Sequence, residues 1–482
     1  MEPTVQEIVG GLLNTPSVEK NMLHSDEDCL TLNVQRPAVG DDSSSDPLLP
    51  VLFWIFGGSF EQGSTRSYDA ESMLVEAIDY GSPFVFVAAN YRLGGFGFLA
   101  GKEVKEEGVS NLGLLDQRLA LQWVADHIAD FGGDPDHVTL WGESAGSISV
   151  FNQLLLYDGD HTYNGRPLFG GAIMDSGSLM PVNSVDSPKA QQIYDAVVQA
   201  AGCTGGVATD SLDCLRNVDY ETFHNAANSV PSLLSLNVVE RSYDPRPAPG
   251  SALPSPPDEM VKQGRFAKVP FIIGDQEDEG TLFSIFIANL STPTDVIDFY
   301  SSRLPDAPRS LVEQLVSSYD DFSSHGSPFR TDNSPLNNIY PQYKRIAAIF
   351  GDLYFNLARR EFLEYAAHVY GDDGLPGWSF LSTYYHGLPV LGTTHFSDII
   401  KVFDGDAKRP FATSAMRQYI FSFLYHRDPN HHGSGESLYW PRWSLEGRAM
   451  LNISSHDALI MRDDYREDSY EIIRDHVAEL RI

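Results

Sequence analysis

Six short apolar runs do most to limit what this chain can fold into. They are "PVLFWIF" at 50–56, "PFVFVAANYRL" at 83–93, "HVTLW" at 137–141, "GGAIMDSG" at 170–177, "VPFIIGD" at 269–275 and "GWSFLSTYY" at 377–385. Their apolar character is continuous rather than alternating, which suits strands covered on both faces. Stretches of helical spacing lie between them. In "NLGLLDQRLALQWVADHIADF", Leu115, Leu119, Trp123 and Ile128 fall near one helix period. "FGGDPDHV" then breaks that helix with two glycines and a proline. Strands alternating with helices predict an α/β fold: a mostly parallel sheet with helices on both faces.

With 42% hydrophobic content, the 482 residues can bury a large core. Residues 180–268 and 284–376 read as helices and loops, including the Pro-rich "YDPRPAPGSALPSPPDEM" at 243–260. They are expected as cap-like insertions over the strand ends, so residues 1–482 are expected to form a single domain. No run of about 18 apolar residues occurs, so no transmembrane helix is expected. The 33 basic and 66 acidic residues leave a net charge of −33. Such a surface repels phosphate backbones and anionic membranes, which argues against nucleic acid as a partner.

The third run leads directly into "WGESAGSISVFNQLLL". By chance, about one chain in six of this length carries G-x-S-x-G. The context is far more selective: a strand before the motif and a helix after it are what a nucleophile elbow requires. Gly142 and Gly146 remove Cβ atoms from the tight turn and lift the Ser144 hydroxyl above the sheet. A serine hydroxyl needs a base to activate it, and the base needs an acid to orient it. Behind such an elbow the acid precedes the base in the chain. "FIIGDQEDEGTLF" supplies Asp275, Glu277, Asp278 and Glu279, among which chemistry alone does not choose. "STYYHGLPVLGTTHFSDII" supplies His386 and His395 as equal candidates for the base. Amides for an oxyanion are expected from Ala145 and from the glycine-rich turn "FWIFGGSFEQGS", where Gly57 and Gly58 can turn the chain so that successive amides point inward. No metal-ligand spacing appears, and the chemistry requires neither metal nor organic cofactor.

These segments resemble the type-B carboxylesterase/lipase family, which includes fungal lipases, animal carboxylesterases and cholinesterases. The likeness runs from about Asp26 to the C-terminus. It is carried by "EDCLTLNV", "WIFGGSF", "ANYRLGGFGFL", the block from "NLGLLDQ" to "GESAG", "DEGTLF" and "GTTHFSDI". The glycine-rich turn leans toward the fungal lipase branch. The resemblance implies an α/β-hydrolase fold and hydrolysis of carboxylic esters, small-molecule or lipid, through an acyl-enzyme. It implies Ser144 as nucleophile, Glu279 as acid and His395 as base, with Gly58, Ser59 and Ala145 as oxyanion donors. Glu143 and Ser176 match residues that support the site in relatives. It also implies a disulfide between Cys203 and Cys214, which spacing alone does not establish. Non-catalytic binding proteins share this fold, but they have no evident need for an intact Ser-Glu-His set.

Two departures stand out. The turn reads Gly-Gly-Ser where many relatives have three glycines. The chain also begins inside the region where relatives carry a cysteine paired with the one matching Cys29, beneath a lid. The expectations are therefore an unpaired Cys29, an open site with little interfacial activation, and a risk of impaired catalysis. Sequons at Asn289 and Asn452 mark possible glycosylation positions. The acidic surface and the disulfide favour secretion, although the first residues show no signal peptide, which leaves the cytoplasm as the alternative.

Overall fold

The computed structural model describes residues 25–38, 47–204, 210–231, 241–287, 290–320, 323–371, 374–403, 410–431 and 437–481. Its centre is a nine-stranded sheet. The strands are β1 (Leu32–Gln35), β2 (Leu49–Ile55), β3 (Val85–Ala89), β4 (Gly133–Glu143), β7 (Gly171–Asp175), β8 (Phe271–Gln276), β9 (Gly377–Ser382), β10 (Ala449–Ile453) and β11 (Ala458–Arg462). A separate two-stranded hairpin, β5 (Thr162–Tyr163) with β6 (Arg166–Pro167), completes the numbering. The sheet order is β1-β3-β2-β4-β7-β8-β9-β10-β11. Every pairing from β3 to β10 is parallel, and the two edge strands pair antiparallel.

All six apolar runs became strands. Strands β3, β7, β8 and β9 are buried at every position, as continuous apolar runs require. Strand β4 starts at Gly133, four residues ahead of its apolar run, because Leu49 pairs with Gly133 before the register shifts at Val51. In the middle of the sheet Trp54 of β2 pairs in register with Trp141 of β4, and their rings meet edge to face at 4.9 Å. Strands β1, β10 and β11 have no counterpart among the six runs. β1 is half-buried and β11 mostly exposed, so neither needs a continuous apolar sequence.

The helix expected after residue 111 spans Leu112–His127, but its inner face is rotated from the leucine spacing. Leu114, Leu121 and Val124 are buried, while Leu119 is 60% exposed. Polar residues take the rest of the inner face because they find partners there. Gln117 donates to Ser149 Oγ at 2.9 Å, and Arg118 Nε donates to Gln153 Oε1 at 2.9 Å. A buried polar group that is fully paired costs little, so hydrophobicity alone misjudges the face.

Helices fill both long connections: Pro188–Ala200, Ser211–Asn217, Tyr220–Ala227 and Pro257–Lys262 between β7 and β8, and, among the described residues, seven further helical segments between β8 and β9. One of these, Leu357–Tyr370, packs on the sheet itself and anchors it through buried charge. Arg359 reaches Asp275 of β8 at 2.9 Å and Asp463 at 2.8 Å, and Arg360 reaches Asp463 at 2.9 Å. Cys203 and Cys214 are joined by a disulfide, and Cys29 is a free, half-buried thiol. No helix among the described residues is long and apolar enough to cross a membrane.

Candidate active site

Strand β4 ends at Glu143, and helix Ala145–Leu155 begins one residue past Ser144. Ser144 joins them with φ +56° and ψ −125°, a region that L-residues rarely enter. Its amide is held by Asp175 O at 2.9 Å. A Cβ at Gly142 would fall 2.3 Å from Gly146 O, and one at Gly146 would fall 2.0 Å from Ile55 O. Both glycines are therefore steric requirements of the corner, as its sequence implied.

The four carboxylates after β8 separate cleanly by partner. Asp275 pairs with Arg359 in the core. Glu277 takes exposed Arg330 at 2.7 Å and lies 3.5 Å from His386. Asp278 accepts from Ser327, Phe329 and Thr393. Glu279 meets His395: its Oε2 lies 2.5 Å from Nδ1, while its Oε1 accepts the Gln276 amide at 2.7 Å. His395 Nε2 in turn lies 2.8 Å from Ser144 Oγ. The structure thus brings Ser144, Glu279 and His395 into one hydrogen-bonded chain, and leaves His386 in a surface cluster.

The glycine-rich turn closes the other side. A Cβ at Gly57 would fall 2.8 Å from the Ser144 Cβ, so this turn abuts the elbow. Gly58 has φ +113° and Ser59 φ +59°. The amides of Glu61 and Gln62 both donate to Gly58 O, and Gly94 donates to Phe60 O, which pins the turn. Among the described residues, neither the Gly58 nor the Ser59 amide has an acceptor. Ala145 is the first residue of its helix, where amides are not used by the helix ladder.

Behind the histidine is a layer of buried acid. Glu143 Oε1 lies 3.4 Å from His395 Nε2. Burial, then the charges of Asp398, Glu279 and Asp175, push the Glu143 carboxyl well above the usual range. Asp175 accepts from Trp141 Nε1 at 2.7 Å, yet burial and the Asp398 charge raise it too. Asp398 is pushed up to about 6 by burial and by the Glu279 charge. Ser176 follows Asp175 at φ +55°, and its hydroxyl is buried without a partner among the described residues. The next residue, Gly177, packs so closely that a Cβ would fall 2.7 Å from Ser144 O.

Two contributors, Phe355 and Asp398, lay outside the sequence reading. Phe283 and Phe355 press on the imidazole with ring centroids at 5.0 and 4.7 Å. Phe283 is buried, so its ring packs on the base from within the core. Phe355 sits in a π-helical turn, Asp352–Asn356, whose Asn356 donates to Gln276 O. Nothing in the local sequence signals that turn. Asp398 left no such signal either: it lies three residues past His395 in "HFSDI", but His395 sits in a turn, Phe396 has φ +71° and the helix begins only at Ser397. Asn452 lies in β10 with its side chain bonded to Thr383 and Leu381, and Asn289 lies outside the described residues.

The model of the carboxylesterase family matches residues 10–473. A secreted lipase of Botryotinia fuckeliana is 52% identical over 466 residues, covering 96% of this chain and 79% of the relative. A secreted triacylglycerol lipase of Gibberella zeae is 50% identical, covering 93% of this chain and 74% of the relative. Among solved structures, an esterase of Aspergillus niger, EstA, superposes with a TM-score of 0.77 at 26% identity, covering 95% of this chain and 85% of its own.

Proposed function

This chain belongs to the carboxylesterase family and is a carboxylic ester hydrolase of the α/β-hydrolase fold, and from that premise we propose that Ser144, Glu279 and His395 carry its chemistry. The observation behind this reading is the chain of two hydrogen bonds, Glu279 to His395 at 2.5 Å and His395 to Ser144 at 2.8 Å. His395 takes the Ser144 proton as Oγ attacks the ester carbonyl. Glu279 holds the imidazole in the tautomer that leaves Nε2 free to accept, and stabilises the imidazolium that forms. The amides of Gly58, Ser59 and Ala145 bind the oxyanion. His395 then protonates the departing alcohol, and water repeats the sequence on the acyl-enzyme. Glu143 and Ser176 support this arrangement from beneath. The described residues act as one catalytic domain, a reading supported by the contiguous apolar core that joins the sheet to helices of both long connections.

Within that activity, we assign acylglycerols as the substrate class and the cell exterior as the site of action. Both follow from the names of the relatives at 50–52% identity, one a secreted lipase and the other a secreted triacylglycerol lipase. The Cys203–Cys214 bond fits an oxidising compartment. The test is Ser144→Ala, assayed on p-nitrophenyl butyrate and on emulsified tributyrin. Both activities should fall on the order of a millionfold. Residual turnover within a hundredfold of the parent would remove Ser144 from the mechanism.

A further inference from the structure

The proposed acid and base sit on segments 116 residues apart in the chain, and their 2.5 Å contact must survive proton transfer. Asp278, immediately before Glu279, is buried where three segments meet. Its Oδ2 accepts the Thr393 amide at 2.9 Å, two residues before His395. Its own amide donates to Thr393 O at 2.9 Å, and it forms a parallel bridge with Thr394. Its Oδ1 accepts from Ser327 Oγ and from the Phe329 amide, each at 2.8 Å, tying in a third loop. Thr281 adds a second tether. Its Oγ1 lies 2.7 Å from Leu391 O and 2.9 Å from Thr394 Oγ1. Gly392 has φ +56°, and a Cβ there would fall 2.1 Å from Asp278 Oδ2. The base-bearing loop is thus shaped around this carboxylate.

We propose that Asp278 is a positioning residue for ester hydrolysis: its carboxylate locks the loop Leu391–His395 to the turn that carries Glu279, and so fixes the acid–base pair. The proposal rests on the triad reading above. It follows from the geometry of a carboxylate, which offers two acceptor atoms to three donors on two separate loops. An asparagine of the same shape offers one. Whichever way its amide turns, an NH2 faces either the Thr393 amide or the Ser327–Phe329 pair. Misplacing a catalytic group by about 1 Å costs on the order of a hundredfold in rate.

The experiment compares the parent chain with Asp278→Asn and Thr281→Val. It measures kcat and KM on p-nitrophenyl butyrate, the pH profile of kcat/KM, the melting temperature and labelling of Ser144 by a fluorophosphonate. We expect Asp278→Asn to lower kcat by about 10- to 100-fold and to move the acidic limb of the profile, with KM held within about twofold. Should that variant fail to fold, Thr281→Val cuts the second tether without touching an ionisable group. It should then lower kcat by about tenfold at unchanged KM. A folded Asp278→Asn enzyme with parental kcat and pH profile overturns the proposal, as does parental kcat in Thr281→Val if Asp278→Asn does not fold. A parent that takes no label at Ser144 instead sinks the triad reading itself.

Discussion

Glu143 Oε1 lies 3.4 Å from His395 Nε2 and has no hydrogen-bond partner among the described residues. Burial first, then the charges of Asp398, Glu279 and Asp175, raise this carboxyl well above its ordinary range. The native protein therefore keeps a proton that the unfolded chain, with a glutamate pKa of about 4.3, releases as pH rises. Through that window the native state binds more protons than the unfolded state, so this group makes stability fall with rising pH. Glu143→Gln removes the slope. Its melting temperature relative to the parent should be higher at pH 8 than at pH 5. An identical offset at both values would mean that Glu143 is ionised in the folded protein throughout.

The corner that holds Ser144 gives a steric prediction. Gly142→Ala drives a Cβ to within 2.3 Å of Gly146 O, a backbone atom that cannot swing away. The variant should lose soluble yield or, if soluble, lose fluorophosphonate labelling at Ser144. Gly81 is the control, since it has φ +70° but meets nothing within 4 Å. Gly81→Ala should cost about 1 kcal/mol of stability and leave labelling intact. Equal labelling of the two variants would show that the elbow tolerates a side chain where its packing leaves no room.

The contrast between these glycines also shows what the sequence made legible. The elbow was readable because its constraint is local: a strand, a tight turn and a helix within twenty residues. The acid and base were narrowed to six candidates by chain order, and the family likeness chose Glu279 and His395 from them. The partners of the rejected groups explain why residues alone did not suffice. Arg359 neutralises Asp275 and Arg330 pairs with Glu277, from positions 84 and 53 residues away. The edge strands β1 and β11 went unread because half-exposed strands need no apolar run. The inner face of helix Leu112–His127 was misjudged because Gln117 and Arg118 find buried partners on another helix. Phe355 was invisible because a π-turn, not a sequence period, brings it to the imidazole.

The ion network beneath β8 and β9 carries the last prediction. Burial alone would raise the Asp463 carboxyl, but the Arg359 and Arg360 guanidiniums outweigh it and hold it well below the usual carboxylate range. All three side chains are fully buried. Arg359 also donates to Asp275 and to Ser379 Oγ, so it joins two neighbouring strands to the segment that bears Asp463. Asp463→Asn keeps the shape but removes the charge that compensates two buried cations. Breaking a buried pair from one side costs about 3–5 kcal/mol, because the remaining charge cannot return to water. The loss should appear in urea unfolding at pH 7 as a lower midpoint, with the dependence on denaturant unchanged. It should also shrink on acidification, because the depressed Asp463 contributes stability above the unfolded aspartate pKa of about 3.9 and loses it as pH falls toward its lower native value. An Asp463→Asn protein with the parental urea midpoint at pH 7 would show that the two arginines are satisfied by Asp275, Glu467 and the surrounding hydroxyls without it.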